Sequence, residues 1–245
     1  MAPDRSRRRL LQTLVWAGPS VAWAGQPDGP PPVYRTAWPP PATLDYQVRR
    51  GILSGQGRLS WDPRPPRYEL QLQARVPLLG TILTQTSTGL LEASGLVPER
   101  FTDERLKRPP RVADFHRPRG PITFSGREDT RPLQPGLQDR LSWMIQLPAI
   151  VQADASWHQA GRELSLLVVS ARADLDRWVF LSHGDQTIAL TDGRSVRALR
   201  LERLNASASG TRAEVWLDPS RHHLPVRARL VEGRDEPFEL VLAGG

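Results

Sequence analysis

Tyr68-Glu69-Leu70-Gln71-Leu72-Gln73-Ala74-Arg75-Val76 decides the fold. Tyr68, Leu70, Leu72, Ala74 and Val76 alternate with Glu69, Gln71, Gln73 and Arg75. That period of two belongs to a strand with one buried face and one wet face. The same rhythm extends outward. Upstream, Leu44, Tyr46 and Val48 alternate with Asp45, Gln47 and Arg49, Gly51 turns the chain, and Gly57-Arg58-Leu59-Ser60-Trp61 follows until Pro63, Pro65 and Pro66 break it. Downstream, 81–91 is the next strand, rich in β-branched residues. Val97-Pro98-Glu99-Arg100-Phe101 leads into a charged hairpin region with strand candidates at 111–117, 122–124 and 128–133, closed by a Pro135-Gly136 turn.

The middle holds one convincing helix. Asp139 is placed to accept backbone N–H bonds as its N-cap, and Leu141, Met144, Ile145 and Leu147 recur at helical spacing. Pro148 should break or kink that run, with 149–152 adding a further turn, and 154–161 reads as loop. Short strands then follow at 163–170, 175–182, 186–191, 196–205, 212–217, 224–231 and 238–242. Turn signals separate them at His183-Gly184-Asp185, Asp192-Gly193, Ser209-Gly210, Asp218-Pro219-Ser220 and Glu232-Gly233-Arg234. These are too many strands for a flat sheet. The expected fold is mainly β: a curved antiparallel sheet, an open barrel or half-barrel, with one helix packed against it.

The start of the chain has a different character. Arg5, Arg7, Arg8 and Arg9 precede a short, diluted apolar run, and Ala22-Trp23-Ala24 supplies the small-x-small pattern of a signal-peptidase site. Together these predict an exported protein cleaved near Ala24. Ser6-Arg7-Arg8-Arg9-Leu10-Leu11-Gln12 is similar to the twin-arginine signature, with Leu10 where Phe is usual and Gln12 in place of Lys. An ordinary secretory signal is the alternative, because Lys107 is the only lysine among 33 basic residues. The run is too short and polar for a permanent anchor, and no later segment is apolar enough to span a bilayer. Residues 1–24 are therefore expected to be a leader, 25–41 a stiff Pro-rich linker, and 42–245 a single antiparallel β domain. The expected compartment is the periplasm, with the product not an integral membrane protein.

Composition narrows the chemistry. The chain has no cysteine, which removes disulfides, thiol catalysis, Cys-based metal sites and a lipoprotein anchor. Its net charge of +7 falls when the leader leaves, and the remaining arginines are scattered among acids. Nucleic-acid binding, which needs a concentrated basic footprint, is not supported. His116, His158, His183, His222 and His223 form no metal-binding spacing, and adjacent His222 and His223 read as turn residues between Pro219 and Pro225. There is no G-x-S-x-G, S-x-x-K or phosphate loop. Ser142 lacks a local base, and Glu128-Asp129 and Asp235-Glu236 fall in turn-like places. No catalytic residue, cofactor or metal is predicted. Of the eight tryptophans, Trp61, Trp143, Trp178 and Trp216 stand as core packing or as the wall of an apolar pocket. Arg227 and Arg229 share a sheet face and are placed to pair with acids such as Glu214.

Gly95-Leu96-Val97-Pro98-Glu99-Arg100-Phe101, Ala113-Asp114-Phe115, Gln138-Asp139-Arg140-Leu141-Ser142 and Trp216-Leu217-Asp218 with Leu224-Pro225-Val226-Arg227 resemble the exported bacterial domain of unknown function 3108 family across roughly residues 42 to 243. The resemblance implies a periplasmic β-rich protein with no assigned catalytic residues. By analogy, its architecture is similar to the curved-sheet lipoprotein carriers of that compartment. The expected function is a non-enzymatic binding or envelope-associated role with an apolar pocket for a lipid-like ligand. A structural module that binds another envelope protein is the first alternative, and a hydrolase whose site is assembled from distant segments is the second.

Overall fold

The computed structural model describes residues 32–244 apart from Asn205 and Ser209. The leader residues Arg7, Arg8, Ala22 and Ala24 lie outside the described residues. Among the described residues fifteen strands form one sheet. Its first half comprises β1 (Ala42–Arg50), β2 (Leu53–Arg64), β3 (Arg67–Val76), β4 (Gly80–Glu92), β5 (Gly95–Arg105), β6 (Arg111–Phe115), β7 (Ile122–Phe124) and β8 (Thr130–Arg131). After β9 (Gln138–Asp139) comes the helix α1 (Trp143–Ala153). The second half comprises β10 (Glu163–Val169), β11 (Leu175–Ala189), β12 (Ser195–Arg203), β13 (Thr211–Asp218), β14 (Leu224–Glu232) and β15 (Phe238–Leu242).

Both halves are antiparallel meanders, and they join where β1 pairs with β15, Tyr46 opposite Leu242. Among the described residues the one parallel pairing is β9 with β10 at the far edge. Twist accumulated over so many strands curls the sheet, and its interior is filled by the inward side chains of each strand. Tyr68, Leu70, Leu72, Ala74 and Val76 are all buried, as the alternation requires. The sheet does not close by backbone pairing. Side chains bridge the gap instead: Gln138 Nε2 donates to the Leu96 carbonyl at 2.9 Å, and Arg131 Nε to the Ala173 carbonyl at 2.9 Å.

The helix lies inside this curl, and every residue from Trp143 to Val151 is buried. A helix apolar all round belongs in a core. Trp143 packs on Phe180 and Trp178, with ring centroids 5.7 and 5.5 Å away. Among the described residues no helix is long and apolar enough to cross a membrane.

Several local expectations change. The helix begins after Ser142, not Asp139, and Pro148 sits inside it without ending it. Asp139 Oδ1 does accept backbone N–H bonds, from Leu141 at 2.8 Å and Ser142 at 2.7 Å, so it shapes the turn before the helix. His183-Gly184-Asp185 is a bulge within the long strand β11, where the register against β12 shifts between Ser182 and Asp185. Gly184 takes a φ of 71° there, the same left-handed conformation that a tight turn requires. The segment Val97 to Phe101 is strand interior, and Pro98 is accommodated by a register shift opposite Gly89. The candidate strand at 128–133 shrinks to Thr130–Arg131.

The Pro-rich segment has no regular structure from residue 32 to 40, yet it is laid against the domain. Ser165 N donates to Tyr34 Oη at 2.8 Å, Ala37 N to the Ala149 carbonyl at 2.8 Å, and Trp61 Nε1 to the Pro39 carbonyl at 3.0 Å.

Candidate functional site

On the concave side a cleft with a cavity of about 100 Å³ opens between the two halves. The first turn of α1 supplies its floor, Trp143 and Met144. Leu72, Ile82 and Leu83 from β3 and β4 form one wall, and Leu230 and Phe238 from β14 and β15 the other. The mouth is charged. Arg105 and Arg140 both reach Glu232 Oε1, at 3.4 and 3.2 Å, Arg105 Nε also meets Asp103 at 3.1 Å, and Arg50 meets Asp235 at 3.1 Å. Burial alone would raise Glu232, but Arg105 and Arg140 outweigh it and hold its carboxyl below the usual range. Burial lowers Arg140, partly offset by Glu232.

Beyond this cluster the cleft continues into a polar chamber of about 360 Å³, bounded by Arg172, Asp174, Asp176 and Thr211. An apolar channel therefore meets a polar one at the Arg105–Glu232–Arg140 cluster. Arg140 and Arg203 lie 5.1 and 4.4 Å from the Trp178 ring centroid. Burial brings Arg203 down to about 10, and its Nε has no partner. The arrangement suits an amphipathic guest, with hydrocarbon on the Trp143 floor and polar groups among the guanidinium and carboxylate groups.

The four tryptophans separate. Trp143 lines the cleft. Trp178 is core behind it. Trp61 packs on Tyr68 at 5.7 Å, away from the cleft. Trp216 lies on the opposite sheet face between Arg200 and Arg227, at 5.7 and 4.8 Å from their guanidinium carbons. That face carries the expected ion pairs: Arg229 meets Glu214 at 3.2 Å, and Arg227 Nε meets Glu239 at 2.8 Å. Of the mouth residues, Asp235 is the turn-like acid the sequence marks, and alternation marks others. Asp103 and Arg105 share the parity of buried Phe101, and Glu232 shares that of Val226, Ala228 and Leu230.

Two further polar clusters exist. His158 from the turn after α1 and His223 from the turn before β14 bring their Nε2 atoms to 2.9 Å. His158 Nδ1 bonds Asp185 Oδ1 and His223 Nδ1 bonds Gln152 Oε1, each at 2.5 Å. A hydrogen bond between the two Nε2 atoms needs one ring to donate and the other to accept. Burial, reinforced by His158, lowers His223 to about 4. His222 remains an exposed turn residue, but His223 does not behave as one. Among the described residues no Ser or Thr hydroxyl bonds either ring, and no group of three His, Asp or Glu side chains is arranged to hold a metal.

The second cluster is sealed in the core. Ser87 Oγ donates to Asp139 Oδ2 at 2.5 Å, and Tyr68 Oη lies 2.9 Å from Ser87 Oγ. Burial raises Asp139 to about 6 and pushes Tyr68 well above its ordinary value. The motif residues around it are structural. Leu96 N donates to Gln146 Oε1 at 2.8 Å, and a Cβ at Gly95, whose φ is 142°, would fall 2.6 Å from Gln146 Nε2.

A search of curated proteins found no match. Among solved structures, the chain is similar to the crystal structure of a β-barrel-like protein of domain of unknown function DUF1849 from Brucella abortus. The TM-score is 0.54 at 13% identity, covering 84% of this chain and 97% of that one, a likeness of fold alone. The family described as "Protein of unknown function (DUF3108)" matches residues 43–233. With the match spanning most of the chain and the Gly95, Gln138 and Gln146 junction inside it, this protein belongs to the DUF3108 family.

Proposed function

We propose that this is an exported, non-enzymatic periplasmic protein that binds a lipid-like guest, with one acyl chain or a comparable apolar segment lying in the cleft. The observation carrying this reading is the junction of the apolar Trp143–Met144 floor with the Arg105–Glu232–Arg140 mouth. The arginine-rich leader and the Ala22-Trp23-Ala24 motif support export.

Native mass spectrometry after gentle purification tests the reading. The expected result is an adduct with the mass of an amphiphile, together with binding of a fluorescent fatty acid. Leu83→Trp, which fills one wall, should weaken that binding roughly tenfold or more, equivalent to about 1.4 kcal/mol. A bare mass together with no uptake of the probe would refute the proposal.

A further inference from the structure

The exposed apolar side chains are unevenly placed. Among the described residues the large ones are Val33, Ile52, Leu53, Leu78, Leu79, Leu106 and Leu204. Strand direction sorts them. β1, β3, β5, β12 and β14 all run toward one end of the sheet, since each is separated from the next by antiparallel pairings. Ile52 and Leu53 follow β1, Leu78 and Leu79 follow β3, Leu106 follows β5 and Leu204 follows β12. All except Val33 therefore crown the same end.

Three of these connections are neighbours, the tips of the β1–β2, β3–β4 and β5–β6 hairpins. Ile52 and Leu78 have 101% and 106% relative exposure, so the fold gains nothing from their side chains. Leu78 also takes a φ of 66°, a left-handed conformation that Gly or Asn would adopt at lower cost. A leucine there is poorly explained by folding.

Charge completes the pattern. Arg49, Arg75, Lys107, Arg108 and Arg111 lie on or beside these tips with no ion pair among the described residues; the acids beside them are Glu104, Asp103, which Arg105 holds, and Glu236, which packs against Gly51. Asp235, held by Arg50, and Glu236 lie between the β1–β2 tip and the β14–β15 turn, which leaves the cations in excess over the three tips. The residues just inside the tips, Arg50, Ile82, Leu83 and Arg105, line the cleft.

We propose that the three adjacent hairpin tips form a membrane-docking rim, inserting Ile52, Leu53, Leu78, Leu79 and Leu106 into the interface of an anionic bilayer and setting the cleft mouth against it. Protruding apolar side chains ringed by unpaired cations fit that surface: each buried side chain adds hydrophobic attraction, and each nearby Lys or Arg adds attraction to anionic headgroups. A neutral protein groove would satisfy the apolar tips but not the cations. The docking surface does not depend on the cleft being occupied.

Flotation of the full chain with phosphatidylcholine vesicles, pure or containing one third phosphatidylglycerol, tests the rim. The protein should float with the anionic vesicles, and its partitioning should fall steeply with added salt. Ile52→Glu with Leu78→Glu should reduce partitioning roughly a hundredfold while leaving thermal unfolding unchanged, because both side chains are already in water. Ser195→Glu, at the opposite end, should bind like the unaltered protein. All variants share one N-terminus, so the leader contributes equally to each. Equal binding to neutral vesicles, no flotation, or a double variant that floats like the unaltered chain would each overturn the proposal. Leu83→Trp separates the two readings: it should lose the acyl probe yet still float, so a failed rim and an empty cleft give different results.

Discussion

Asp139 is wholly buried, and burial lifts its carboxyl to about 6 although Ser87 and the Leu141 and Ser142 N–H groups donate to it. A carboxyl raised above its unfolded value of 3.8 contributes stability that is fully present below about pH 4 and lost as pH rises through 6. A rise of this size corresponds to about 3 kcal/mol. Asp139→Asn keeps an oxygen for both N–H donors and removes the charge. Urea unfolding should therefore show the variant gaining on the unaltered protein by roughly 2–3 kcal/mol between pH 4 and 7.5. A gap that does not change with pH would show that Asp139 is not the titrating group. His223 has the opposite sign. A base lowered from 6.5 to about 4 contributes stability present above 6.5 and lost as pH falls toward 4. In His158→Gln the facing charge is gone, so the NMR midpoint of His223 should move upward yet stay below 6.5, since burial is the larger cause; an unchanged midpoint would contradict the coupling. The pairing was not legible in the sequence, because His158 and His223 are 65 residues apart and meet only through tertiary structure. The cleft mouth was partly legible: charged residues on the apolar parity of β5 and β14 had to face inward, and only their convergence needed coordinates.

At the scale of elements, α1 is held to β5 by few polar contacts and much hydrocarbon. Leu96 N, buried, has Gln146 Oε1 as its acceptor, and Gln138 Nε2 satisfies the Leu96 carbonyl. Gln146→Leu preserves volume and helix propensity but leaves that N–H unmet. The expected cost is about 1–3 kcal/mol, read as a lower urea midpoint with an unchanged m-value. A neutral result would mean that the helix shifts to provide another acceptor. Strand existence was readable nearly throughout, since alternation survives in β1, β3 and β4 as spaced buried residues. Reading failed where a glycine at positive φ serves two purposes. Gly184 in β11 makes a bulge and Gly51 a hairpin turn, and local chemistry is the same for both. What separates them is the partner: β12 continues past the bulge from Leu199 to Leu201, which the local sequence cannot reveal. Pro148 failed for a related reason. Its cost of about 3 kcal/mol in a helix interior is outweighed by the burial of every residue from Trp143 to Val151.

Across the whole molecule, an open fifteen-strand sheet must be kept curled without a closing ladder. Core packing on α1 does most of this, helped by Gln138 and Arg131 across the gap. The strand number made an open, curled sheet readable in advance; which strands form its edges was not, because β8 and β9 are only two residues each. The Pro-rich stretch adds a strap that composition disguised as a tether. Prolines stiffen it, while Tyr34, Ala37 and Pro39 tie it to β10, α1 and β2, and Tyr34 meets Trp157 edge-on at 5.8 Å. Pre-set prolines reduce the entropy lost when such a strap lies down, so its few bonds can yield a net gain. Removing everything before Ala42 would expose Trp157 and leave Trp61 Nε1 and Ser165 N without those acceptors. Relative to a chain starting at Gly25, this shortened form should lose on the order of 2 kcal/mol, or roughly 4–8 °C in melting temperature at this length. If the two melt together, the strap contributes no net stability, and the curl is held by the core and the cross-gap side chains alone.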